Sequence, residues 1–229
     1  MAAPKFDNAT LAERVHQLLR EDILANKYPP DEPLPEEVIA TSLNVSRAPV
    51  REALRNLAAE GLVKIIRRQG AVVNSLSAQE FLEAYQIREA LEVLAIRLAF
   101  PRLQQNHLNQ LESLNREMVN FAREGFFDRF FSADANFHNL FVEQSNNQKL
   151  QEVYCPIANQ MRRYYIPAFY LKGGIEQALQ DHQDIIQALK DGDSQRAATI
   201  LSTHLRAPQQ MLQAGQSIEL IPFAHSPEG

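Results

Sequence analysis

Residues 44–62, NVSRAPVREALRNLAAEGL, constrain this chain more than any other stretch. Val50, Leu54 and Leu57 recur at the spacing of one helical face, and Gly61 supplies a stop. Ser46 stands where an N-cap belongs, its hydroxyl able to accept from an N–H left free in the first turn. Arg47, Arg51 and Arg55 follow four residues apart and form one stripe away from the apolar face. A short helix that buries one side and presents three guanidinium groups on the other suits a DNA major groove. A solvated charged face would carry the same pattern, so the flanking residues decide.

Residues 35–43, PEEVIATSL, read as a short helix with Val38, Ile39 and Leu43 inward, and Asn44-Val45 as a tight turn into the Arg-bearing helix. That order is a helix-turn-helix, in which the second helix reads the groove. Two short β runs, 63–67 and 71–74, joined through Arg68-Gln69-Gly70, form a small wing. The chain's net charge of -5 would oppose DNA binding if evenly spread. Residues 46–70, however, carry six Lys or Arg against two acids, and a basic patch on an acidic body draws phosphate to one face. Leu34-Pro35-Glu36-Glu37, the run VSRAPVREAL at 45–54, and Glu60-Gly61-Leu62-Val63 resemble the winged-helix signature of the GntR family of bacterial repressors. Ala48 is a departure, at a position where Thr is common. The resemblance implies a homodimer on palindromic double-stranded operator DNA. Arg47 would contact a base and Arg51 a phosphate, with Ser46, Arg55, Arg68 and Gly70 as further contacts.

A chain of 229 residues has room for two modest domains. The single cysteine, Cys155, excludes an internal disulfide framework and fits a reducing compartment. No apolar run is long enough to span a bilayer, and the start lacks a signal peptide's hydrophobic core, which points to a cytoplasmic protein without membrane contact. Residues 1–9 are expected to be a mobile start. Thr10 caps a helix through Ala25 that buries Leu11, Val15, Leu18, Leu19 and Leu24. Ser77-Ala-Gln-Glu80 has the capping-box pattern and opens a second domain. Helical periodicity then predicts segments near 78–99, 105–124, 128–145, 148–166, 174–190 and 194–213, with Pro156 kinking the fourth and no strand between them. The fold class is therefore mainly α. A winged helix-turn-helix with a small β wing occupies 1–76, an antiparallel all-α bundle occupies 77–214, and 215–229 is expected to be a disordered tail.

One constellation in the bundle carries chemistry. Asp134 and His138 are four apart and share a helical face, while His182 and His204 lie on the fifth and sixth predicted helices of the bundle. Three imidazoles and one carboxylate form a ligand set for a divalent transition metal, with positions left open. Spacing alone leaves open the alternative of hydrogen-bonded core histidines. His16, His107 and His225 read as structural or solvent-facing. The segments DANFHNL at 134–140 and DHQDIIQALKDGD at 181–193, followed by His204, resemble the ligand-binding domain of the FadR subfamily of GntR regulators. That resemblance implies a bundle of six to seven helices in which Asp134, His138, His182 and His204 hold the ion. Zinc and nickel come first among the metals that accept this set. It also implies a small carboxylate effector bound near the metal.

Arg88 matches an arginine of that effector pocket, and a guanidinium fork suits a carboxylate. An intrahelical pair with Glu92 or Glu89 accounts for it equally well. Arg162 is a second pocket candidate, with Arg163, Tyr164 and Tyr165 beside it; Phe137 and Phe141 read as core. The expected function is a DNA-binding transcription regulator, a repressor controlled by that effector. The alternative is a metal-dependent hydrolase or oxygenase fused to a DNA-binding domain, but no residue stands out as the general base that water activation would need.

Overall fold

The structure is a computed structural model and describes residues 10–165, 173–213 and 221–222. The expected mobile start at 1–9 and His225 lie outside these residues. The chain divides between Ser75 and Leu76 into two compact units.

The first unit begins with α1, Leu11–Leu24. Thr10 accepts from the Glu13 N–H and the Glu13 carboxylate accepts from the Thr10 N–H, a complete capping box. The buried stripe is Ala12, Val15, Leu19 and Ile23. Leu11 and Leu18, expected inside, are 50% and 42% exposed. Leucines on α1 offer two possible stripes, and the one running through Ile23 meets α3. The second helix, α2, Glu36–Ser42, buries Ile39 and Ala40 but leaves Val38 63% exposed, against expectation. Seven residues make about two turns, so only one narrow face can be inward.

Asn44, at φ +53, makes the turn into α3, Arg47–Ala59. Val50, Ala53, Leu54 and Leu57 of α3 are fully buried against α1 and the start of the wing. Strands β1, Val63–Ile66, and β2, Gly70–Val73, pair antiparallel with Val63 opposite Val73 and Ile66 opposite Gly70. Buried Asn74 donates to the Gly61 carbonyl at 2.8 Å, tying the end of the wing to the end of α3.

The second unit is built from six helices among the described residues: α4, Ala78–Ala99; α5, Gln105–Glu124; α6, Phe127–Gln144; α7, Gln148–Met161; α8, Gly174–Lys190; and α9, Ser194–Gln213. Ser77 and Glu80 form the expected capping box, and Gly125, at φ +77, ends α5 in the left-handed conformation that glycine adopts most easily. Helix α4 packs against α6, α7 and α9, so residues on its inward face reach the centre of the unit. The core includes Ile96, Leu111, Met118, Phe137, Phe141, Ile185 and Leu201, all fully buried.

One expected element differs. The helix containing Pro156 ends at Met161 rather than near 166, and Tyr164–Tyr165 form a two-residue strand paired with Ile221–Pro222. That pairing also places two residues of the expected disordered tail in a strand; most of the tail lies outside the described residues.

Leu57 is the buried residue through which α3 is held, so Leu57→Ala is expected to destabilise the first unit by about 2–5 kcal/mol. Urea unfolding of the full chain, followed by a probe in that unit, would check this. A loss below about 1 kcal/mol would show that the site collapses around the missing side chain.

Candidate metal centre and nucleic-acid interface

The centre of the second unit is organised by α4. Its inward face carries Phe81, Arg88, Glu92, Ala95, Ile96 and Ala99, an apolar stripe interrupted by one ion pair. Glu92 has no solvent exposure. Its carboxylate accepts from Arg88 Nε, from His138 Nδ1 at 2.5 Å and from the Tyr154 hydroxyl at 3.0 Å. A buried carboxylate needs such partners, because an unpaired one is strongly disfavoured. Burial pushes the Glu92 carboxyl up, but Arg88 and His138 outweigh it and hold it at about 2. Burial likewise opposes protonation of His138, yet Glu92 raises that imidazole to about 9. His182 is driven the other way, well below the ordinary histidine range, by burial and by its neighbour His204.

The bond from Glu92 fixes His138 so that Nε2 faces Asp134 at 3.7 Å. His182 Nε2 lies 3.5 Å from the same Asp134 oxygen. His204 is oriented by Asp181, whose carboxylate oxygen is 3.3 Å from its Nδ1. The ring of Phe137 stacks on His182 at 4.3 Å between centroids, which makes Phe137 a core residue that also holds a site residue. Asp134, His138, His182 and His204 are thus brought together: one ligand atom from each lies within 4.8 Å of the others. An ion about 2.0–2.2 Å from each atom needs separations of up to about 4.4 Å. The quartet would therefore have to close slightly around an ion; what fits one is that His138 Nε2 and both nitrogens of His182 are buried with no hydrogen-bond partner among the described residues. Such groups are rare unless something else satisfies them. The cluster could hold a metal ion, and its donor set, nitrogen-rich with one carboxylate, suits a divalent transition metal.

A cavity opens beside the cluster, lined by Arg88, Asp134, Tyr154, Arg162, Tyr164 and His204 among others. Arg88 Nε pairs with Glu92, the intrahelical partner expected for it, and the same side chain lines the cavity. Arg162 lines it too, whereas Arg163 is buried away from it. The side chain of Tyr165 lies outside the described residues. Phe141 is fully buried core. His16 and His107 are structural: His16 bonds Glu60 at 2.6 Å, and His107 Nδ1 accepts the Gln104 N–H at the start of α5. Sequence reading missed Glu92 and Asp181 as the groups that orient metal-facing imidazoles. The available signal for Glu92 was a charge placed in line with Phe81, Arg88 and Ala95 on an otherwise inward face.

In the first unit Arg47, Arg51 and Arg55 are exposed along one side of α3. Glu36, on α2, holds two of them. It accepts from Arg51 Nε at 2.9 Å and Nη2 at 2.8 Å, and from Arg47 Nη2 at 3.4 Å. The bonds from Arg51 lower the Glu36 carboxyl below its usual range. Ser46 occupies the N-cap position with extended backbone, but its hydroxyl makes no capping bond; the expected cap is absent and the side chain is exposed. At the wing tip Arg68 has φ +69 and Gly70 φ +90, and a Cβ on Gly70 would meet no atom within 4 Å.

These features define a winged helix-turn-helix unit joined to a helical unit with a candidate metal centre. Residues 11–73 match bacterial regulatory proteins of the gntR family, and residues 83–207 match the FCD domain. The chain belongs to the GntR family, in the FadR subfamily that pairs this DNA-binding unit with an FCD domain, and is a transcription regulator rather than an enzyme. It is 30% identical over 195 residues to the HTH-type transcriptional repressor RspR of Escherichia coli, with 85% of each chain covered. It is 26% identical over 221 residues to the galactonate operon transcriptional repressor of the same species, covering 85% of this chain and 95% of that one. The E. coli McbR/YncC structure shares the fold, with a TM-score of 0.73 at 20% identity over 90% of this chain and 98% of that one. No described helix is long and apolar enough to cross a membrane.

Glu92→Gln keeps the shape of the side chain but removes the charge that orients His138. It is expected to lower the affinity for Zn²⁺ roughly 10–100-fold in a chelator-competition titration, with helical content unchanged. An affinity equal to that of the parent protein would reduce Glu92 to a counter-ion for Arg88.

Proposed function

We propose that this chain is a repressor whose operator binding is controlled by a small carboxylate bound beside a divalent metal. The observation that carries this reading is the placement of Arg88, Asp134 and His204 on one cavity, so that a guanidinium and the metal ligands face the same space. Asp134, His138, His182 and His204 would hold the ion, with zinc and nickel as leading choices. Such an ion would supply Lewis acidity towards a carboxylate oxygen. Arg88 and Arg162 would supply positive charge to the carboxylate, Arg88 as a fork whose position Glu92 fixes. The repressor names of the two E. coli relatives support repression over activation.

On the DNA side, Arg47 would read a base and Arg51 a phosphate, with Ser46, Arg55, Arg68 and Gly70 around them. The uncapped start of α3 and the uncommitted Ser46 hydroxyl suit a phosphate there. A two-fold homodimer on a palindromic site in the cytoplasm doubles these contacts. The effector acts by binding one population of the protein better, which shifts the fraction competent for operator DNA.

The reading is tested by fluorescence anisotropy on a duplex that the protein selects from random sequence. A bound carboxylate should change operator affinity in the parent protein, and Arg88→Lys, which keeps a cation beside Glu92 but loses the fork, should weaken that response. A full response in Arg88→Lys would show that the effector does not use the fork. Arg51→Ala should weaken binding to every sequence and lessen the salt slope by about one, as loss of a single phosphate contact requires. An unchanged slope would remove Arg51 from the phosphate contacts. Glu36→Gln should raise affinity for random duplex and steepen its salt dependence, because the carboxylate no longer competes with phosphate for Arg47 and Arg51. Weaker binding to random DNA in that variant would make Glu36 a positioning group whose loss disorders both arginines.

A further inference from the structure

The cavity beside the His/Asp cluster has few charged groups in its described lining. Asp134 and His204 belong to the cluster, Arg88 lies close enough to feel the Asp134 charge, and Arg162 adds a second positive charge. Much of the remaining described lining is apolar, with Phe81, Phe130, Phe131, Met161, Leu205 and Pro208 as its larger members. None of the described lining residues is Ser, Thr, Asn or Gln.

The three lining tyrosines do little to change this. The Tyr154 hydroxyl donates to Glu92 at 3.0 Å, and the Tyr164 hydroxyl accepts the Leu76 N–H at 3.2 Å. Tyr85 has no hydrogen-bond partner among the described residues, but it lies beside Arg88, which stands 5.7 Å from its ring. Tyr85 therefore belongs with the group around Arg88.

Resting on the carboxylate reading above, we propose that the effector is a monocarboxylate with an apolar body, aliphatic or aryl, and not a polyhydroxylated sugar acid. A hydroxyl carried into this lining would lose its water without gaining a partner, which costs about tenfold or more in affinity for each group. A methylene placed there gains about fourfold from leaving water. The two contributions have opposite sign along the same chain, so the lining separates the two kinds of acid strongly. A hydroxyl next to the carboxyl is the exception, because it would lie beside the groups that hold the carboxylate.

The test is isothermal titration calorimetry on the full-length, Zn²⁺-loaded protein with butyrate, hexanoate, benzoate and D-gluconate. Hexanoate and gluconate share a six-carbon chain and a single negative charge and differ in their hydroxyls. Hexanoate is expected to bind at least about 100-fold more tightly than gluconate and more tightly than butyrate, with a negative heat-capacity change. Phe131→Ser should narrow the gap between hexanoate and gluconate while leaving Zn²⁺ affinity unchanged. Gluconate binding as tightly as hexanoate would overturn the apolar-body assignment and leave the carboxylate reading standing. Binding of none of the four acids would overturn the carboxylate reading itself, and the apolar-body assignment with it.

Discussion

A fully buried carboxylate, Glu92, sets the arrangement of the second unit. It takes three donors from three directions: Arg88 one turn away on its own helix, His138 from α6 and Tyr154 from α7. A charge at that depth is tolerable only when all of these partners are in place. The requirement therefore fixes the register of α4, α6 and α7 against one another more tightly than apolar packing alone, which accepts many shapes of similar volume. The same bonds aim His138 Nε2 at Asp134 and hold Arg88 against the cavity. Structural support and site geometry are here one set of interactions.

A related device recurs in the first unit. Glu36 gathers Arg51 and Arg47 much as Glu92 gathers Arg88 and His138, but Glu36 is partly exposed and Glu92 is not. The difference decides what each can do. Exposed pairs are screened and weak, so the hold of Glu36 on the arginines of α3 is one that another anion can displace. The buried pair has no water to exchange with and acts as a fixed framework.

Much of this was legible in the sequence because the signals are local. The capping pair Ser77 and Glu80 marks the start of α4, and Gly125 the end of α5. The 134, 138, 182 and 204 quartet could be named from motifs, although only the fold shows that its ligand atoms converge. Failures came where the deciding partner is remote. The helix through Pro156 stops early as the chain turns to pair Tyr164–Tyr165 with Ile221–Pro222, some 57 residues on, and nothing near Met161 announces it. Leu11 and Leu18 looked as apolar as Val15 and Leu19, and only the position of α3 selects between the two faces of α1. Ser46 has the residue type and backbone of a cap, but its hydroxyl makes no capping bond. Glu92 was legible as a partner of Arg88 and not of His138, because that bond crosses 46 residues of sequence.

The quartet could hold a metal ion. Native mass spectrometry of the protein, purified without added metal and then titrated with Zn²⁺, tests it most directly. One tightly held ion per chain, removed by chelator and absent from His138→Ala and His182→Ala, is the result expected of a metal site. Zinc binding of the same stoichiometry and strength in both variants would contradict it, and the four side chains would then be an unusually unsatisfied piece of core.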